Sequence, residues 1–100
     1  MSGKFEGIGA RLTKRNQEVK IVEIISGGPL WKGKLLEVGD IILKVGQKNE
    51  EPVDISGMRL DDAVKLIKGP KGTEVFLTVK KIDGTISLVT VVRDLSLIHI

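Results

Sequence analysis

One hundred residues with a formal net charge of +3, 41% hydrophobic and 29% charged, describe at most one small globular domain. The chain has no cysteine and a single histidine, His99, which excludes disulfides, thiolate chemistry, a His-based catalytic triad and a multi-His metal site within one copy. No apolar run approaches the ~20 residues of a membrane-spanning helix, and the scattered cations with only three aromatics argue against a nucleic-acid surface.

Along the chain, Phe5-Glu6-Gly7-Ile8-Gly9 places two glycines around an isoleucine, and Ile8, Ala10 and Leu12 then share one face of a strand. The polar run Thr13 to Glu18 reads as a turn, and the β-branched run Val19 to Ile25 as a second strand, antiparallel to the first. Gly27-Gly28-Pro29 ends it, and Pro29 suits the first turn of a short helix through about Lys34. Val38-Gly39-Asp40 is a turn before a third strand, Ile41 to Val45. A polar loop, Gly46 to Glu51, leads to a short edge strand over Pro52 to Ile55.

The clearest helix covers Leu60 to Lys68. Leu60, Ala63, Val64 and Ile67 recur at i, i+3, i+4 and i+7, while Asp61 and Asp62 occupy the first turn, where the helix dipole favours anions. Gly69-Pro70 stops it. Val75 to Val79 and Ile86 to Val92 are two further strands joined by a tight Asp83-Gly84 turn. These elements predict a mainly β, α+β domain: a five- to six-stranded antiparallel barrel or sandwich capped by one long and one short helix.

The glycine loop is the first candidate site. Glycines let the backbone approach a ligand, and successive N–H groups in such a turn can converge on an anion. A terminal carboxylate suits that chemistry, and the strand that follows can accept an extended peptide along its edge. A dinucleotide loop would lead into a helix rather than a strand. Taken alone, Gly7-Ile8-Gly9 fits a turn or bulge that shapes the barrel better than a site.

Three segments in order change that balance: Gly7-Ile8-Gly9-Ala10, Leu36-Glu37-Val38-Gly39-Asp40-Ile41-Ile42, and the helix Leu60-Asp61-Asp62-Ala63-Val64-Lys65-Leu66-Ile67-Lys68. Together they resemble a PDZ domain. Phe5 to Gly9, Gly27-Gly28-Pro29, Gly57 to Val64 and Gly69 to Thr73 are similar, more narrowly, to the PDZ domain of carboxyl-terminal processing (tail-specific) serine proteases, with the permuted, bacterial-type strand order in which Ile86 to Val92 comes last. The resemblance divides the chain into a leader or cloning remnant (1–4), the PDZ domain (5–94) and a linker or tail (95–100).

The resemblance implies a module that recognises apolar, free carboxyl-terminal tails of other polypeptides. Glu6, Gly7, Ile8, Gly9 and Ala10 would form the carboxylate-binding loop, and Ile8, Ala10, Leu12, Leu60, Val64 and Ile67 the groove and its terminal pocket. Leu60 offers no hydrogen bond, so an apolar residue is expected at the ligand's third-from-last position. Ala63 and Leu66 would serve the core alone, Val64 and Ile67 both core and groove. Leu30 and Trp31 depart from the family's small residues; Trp31 is expected to pack on the short helix, the alternative being an exposed patch against a protease domain.

No metal, cofactor or catalytic residue is expected in this chain: the family's Ser-Lys machinery lies in a separate domain, and none of Ser2, Ser26, Ser56, Ser87 or Ser96 sits in a segment similar to its nucleophile motif. The parent would be a serine endopeptidase working outside the cytoplasm, in the bacterial periplasm or envelope. The alternative is a PDZ scaffold with no protease attached. The terminal Ile98-His99-Ile100 fits the expected groove preference, which predicts weak self-association; a frayed terminus is the plainer reading.

Overall fold

A computed structural model describes residues 9–25, 36–70 and 72–93. The elements are β1 (Ala10–Arg15), β2 (Glu18–Ile24), β3 (Ile41–Gln47), β4 (Val53–Asp54), helix α1 (Leu60–Ile67), β5 (Glu74–Lys80) and β6 (Ile86–Val92). All pairings are antiparallel, and the strands form one sheet in the order β1-β2-β3-β5-β6, with β4 beside β3. β5 runs along one edge of β3 for its whole length, while β2 and β4 share the other, β2 at Ile41 and Ile42 and β4 at Lys44 and Val45. The sheet is open among the described residues: β1 and β6 are its edges, and α1, rather than a closing strand pair, covers the core. The short helix expected near Pro29, and Trp31 with it, lie outside the described residues.

Alternation builds the core. Leu12, Val19, Ile21, Ile42, Val45, Val75, Leu77, Val79 and Val91 are buried from the strands, Ala63 and Ile67 from α1, and Ile55 from the segment leading to it. A fully buried Ile or Val of this kind stabilises by roughly 1.5–3 kcal/mol relative to exposure. Ile42 and Val45 are three apart, out of phase with a period of two. The register slip between Ile42 and Lys44 against β5 restores both to the inner face. A second slip, at Arg11/Leu12, pairs Arg11 with Glu23 but Leu12 with Ile21, leaving Val22 as the extra residue.

The first hairpin differs from its sequence reading. The polar run Thr13 to Glu18 is mostly strand: β1 continues to Arg15, β2 begins at Glu18, and the turn is only Asn16-Gln17. Thr13 and Lys14 are only half-exposed, and pairing with β2 decides their conformation. Both turn residues have positive φ, +54° and +68°, the two-residue turn whose twist matches its strands. Asn adopts that conformation at little cost and Gln at a larger one. Gln17→Gly is therefore expected to raise stability by about 0.5 kcal/mol in urea denaturation, the relief of strain exceeding the entropy glycine adds to the unfolded chain. The bond from the Gly57 N–H to the Gln17 carbonyl (2.9 Å) is retained.

The β5–β6 hairpin matches its reading closely. Gly84 has φ +91°, and its N–H donates to the Lys81 carbonyl at 2.9 Å. The Asp83 carboxylate accepts the Thr85 N–H (2.9 Å), and hydrogen bonding to the Thr85 side chain first, and to that N–H second, holds the Asp83 carboxyl below its ordinary range.

Candidate functional site

β1 carries its pairing with β2 on one side only. Its other edge has no strand partner among the described residues, which leaves a row of backbone donors and acceptors open to an added strand. The chain enters β1 through Gly9 at φ +81°, a conformation that side-chain-bearing residues adopt at a cost. The Gly9 carbonyl accepts the Ile25 N–H at 2.7 Å, so it faces β2. Of the expected carboxylate loop, Gly9 and Ala10 are described, and both are buried. Glu6, Gly7 and Ile8 lie outside the described residues.

Helix α1 is the other element of the expected groove. Its start is fixed indirectly: Gly57, just upstream, donates to Gln17 at the hairpin tip, and Ala63 N–H closes the first turn on the Arg59 carbonyl (3.0 Å). Arg59 gives no side-chain cap, so Asp61 and Asp62 provide the electrostatic support at that end. Ala10, Leu12 and Ile67 are fully buried or nearly so, while Leu60 and Val64 are half-buried and pack against the same cluster. Of the expected groove residues, three are thus buried and two half-buried, while Ile8 lies outside the described residues. Ala63 is fully buried, and Leu66 is half-buried against the core.

The sequence reading passed over the most heavily bonded side chain among the described residues. Arg93, at the end of β6, is only 4% exposed, yet among the described residues no carboxylate pairs with its guanidinium. Nε–H donates to the Ile67 carbonyl (2.8 Å). One terminal nitrogen donates to Thr73 Oγ1 (2.9 Å) and the Glu74 carbonyl (3.3 Å), the other to Gln47 Oε1 (2.8 Å) and the Leu66 carbonyl (3.2 Å). Gln47 Nε2 also donates to the Leu66 carbonyl (2.7 Å). Burial pulls the Arg93 pKa below its ordinary value, but a guanidinium stays charged throughout the working range. The cluster opens on a cavity of about 540 Å³ that Lys48, Pro70, Gly72 and Val92 help to line. One arginine among 16 cations carries no local signature, so nothing in the sequence marked it.

A second buried polar pair sits under the turn before β3. Asp40 is fully buried: its Oδ2 accepts the Glu37 N–H (2.8 Å) and Lys81 Nζ (2.5 Å). Burial alone would lower the Lys81 pKa, but the hydrogen bond to Asp40 and the charges of Asp40 and Glu37 outweigh it and raise the pKa. No group of three or more potential metal ligands occurs among the described residues. No helix of the described residues is long and apolar enough to cross a membrane.

A model of the PDZ domain family matches residues 1–80. The chain is 41% identical over 91 residues to the tail-specific protease of Haemophilus influenzae, covering 90% of this chain and 13% of that protein. It is 38% identical over 95 residues to the carboxy-terminal processing protease CtpA of Bacillus subtilis, covering 94% of this chain and 19% of that one. Among solved structures, it superposes on the PDZ domain of the Vibrio cholerae carboxy-terminal protease, crystallised with a peptide, with a TM-score of 0.84 and 46% identity over 91% of this chain and 95% of that one. The photosystem II D1 C-terminal processing protease shares the fold, with a TM-score of 0.74 at 21% identity over 94% of this chain and 24% of that one. A family model over most of the chain, together with a close match in sequence and fold to a PDZ domain solved by itself, places the chain among the PDZ domains of the carboxyl-terminal processing (tail-specific) protease family.

Proposed function

We propose that this domain binds polypeptides by their free, apolar carboxyl termini and serves as the substrate-recognition or regulatory part of a longer, extracytoplasmic serine protease. The observation that carries the reading is the edge of β1 with no strand partner among the described residues, entered at Gly9, with Leu60 and Val64 of α1 half-buried against the same core cluster as Ala10 and Leu12. A tail laid along that edge gains backbone hydrogen bonds from β1. Its carboxylate meets the N–H groups of the loop from Glu6 to Ala10, and its last side chain enters a pocket walled by Ile8, Val64 and Ile67 above Ala10 and Leu12. Leu60 favours an apolar residue two positions upstream of the ligand's last. The peptide-bound Vibrio cholerae relative supports the same reading.

Ordering an extended peptide offsets much of the contact energy, so affinities of order 10 μM, about −7 kcal/mol, are expected. Titration with one peptide ending in apolar residues, as free acid and as carboxamide, tests the assignment. Charge-assisted bonds to a carboxylate contribute about 1.5–3 kcal/mol, so the amide is expected to bind roughly 10- to 100-fold more weakly. Amide shifts should fall on Gly9, Ala10 and residues 60–68. Equal affinity for the two forms, or no binding of either, would remove the carboxylate loop from the mechanism.

A further inference from the structure

We propose that Arg93 is a positioning residue for the terminal pocket, holding the last turn of α1 at a set distance from the sheet and thereby fixing the size of side chain the pocket accepts. This rests on the groove reading above and deepens it.

A helix ends with carbonyls that have no intrahelical donor. Here Lys68 leaves the helical conformation with ψ 156°, and Pro70 has no N–H to give, so the carbonyls of Leu66 and Ile67 need outside partners. Arg93 reaches both. Its other donors go to the sheet side, to Gln47 at the end of β3 and to Thr73 and Glu74 at the start of β5. The Arg93 backbone is tied down as well, its N–H to the Thr73 carbonyl (2.8 Å) and its carbonyl to the Gly72 N–H (2.9 Å).

All five guanidinium donors are thus used in one plane, with nothing left to swing. The approach is close: a Cβ on Gly69 would lie 2.7 Å from Arg93 Cζ, so the chain leaving the helix runs flush against the guanidinium. Ile67 carries both a clamped carbonyl and a side chain of the pocket floor, and Val64 stands one turn earlier. Any slack at the clamp is therefore slack in the pocket. A lysine keeps the charge but has a single nitrogen, which cannot span acceptors on both sides of the fork.

The test compares two free-acid peptides that differ only in the last residue, valine or phenylalanine, on the wild-type chain and on Arg93→Lys. Folding of each is checked by its amide spectrum at low temperature. The wild type should prefer one terminal residue, because pocket volume discriminates by tens of fold per methylene-scale change. Arg93→Lys is expected to shift the valine-to-phenylalanine affinity ratio toward the larger residue by about three- to tenfold. Gln47→Met, which keeps Arg93 but removes the second donor to Leu66, is expected to shift it the same way by less, and provides the readout if Arg93→Lys does not fold. An unchanged ratio in a folded variant would reduce Arg93 to a stabilising contact and overturn the proposal. Wild-type chain that binds neither peptide would instead overturn the groove reading itself.

Discussion

Replacing Arg93 by methionine is expected to destabilise the domain by about 3 kcal/mol, a fall in Tm of roughly 12–24 °C for a chain of this size. Methionine matches the arginine stem in length and leaves the space beside Gly69 unobstructed, so the loss reports the bonds rather than a clash. Two opposing effects set the size. Burying an arginine at 4% exposure is costly, and methionine relieves that cost. Against this, the carbonyls of Leu66, Ile67 and Glu74, the Gln47 amide oxygen and Thr73 Oγ1 lose a charged donor, each bond being stronger than a neutral one. In the variant the adjoining cavity, which Gln47, Thr73 and Glu74 line, gives water a route to some of these acceptors, so the expected loss is far below the sum of five bonds. Chemical denaturation measures it. A change within about 0.5 kcal/mol would mean that desolvation cancels the bonding and that the helix end holds without the clamp.

Lys81→Met is expected to cost about 3 kcal/mol near neutral pH, because it strips the cation from a fully buried carboxylate. Asp40 would keep the Glu37 N–H, but its Oδ1 already has no hydrogen-bond partner among the described residues. The pair also ties the turn before β3 to the end of β5, 41 residues away in sequence. Its pH dependence has a definite sign. The folded-state pKa of Lys81 is raised above 10.5, so its contribution is fully present below about pH 10.5 and is lost as pH rises through the folded value. The gap between wild type and Lys81→Met, measured in urea at pH 8 and again at pH 11, should therefore narrow at the higher pH. A gap that stays constant, or is absent at pH 8, would show that the ion pair does not contribute.

Local chemistry carried much of the architecture. The helix Leu60 to Ile67 follows from its apolar spacing and from the Gly69-Pro70 stop, and Ile86 to Val92 is strand over the range its β-branched run implies. The Asp83-Gly84 turn works as its residue types demand, glycine taking positive φ and aspartate bonding its neighbour's N–H. The family could be read because three short segments, each weak alone, occur in the right order. Where the reading went astray, it did so for want of a partner strand. Thr13 to Arg15 look like turn residues by composition, yet they are strand because β2 supplies the ladder. The edge strand expected over Pro52 to Ile55 shrinks to Val53–Asp54, with Ile55 turned into the core.

What the sequence by itself determined is what spacing along the chain governs: the helix, the existence of the long strands, the Asp83-Gly84 turn, and the glycine entry to β1. Tertiary structure alone decided the rest. The same helical stripe yields a buried Ile67 and a half-open Val64, and the strand from Ile86 to Val92 ends in the arginine that fastens that helix. These outcomes depend on Gln47, Thr73 and Asp40 meeting side chains 20 to 46 residues away. Periodicity gives each element a face, but burial and hydrogen bonding are properties of pairs, and the pairs exist only once the sheet has folded.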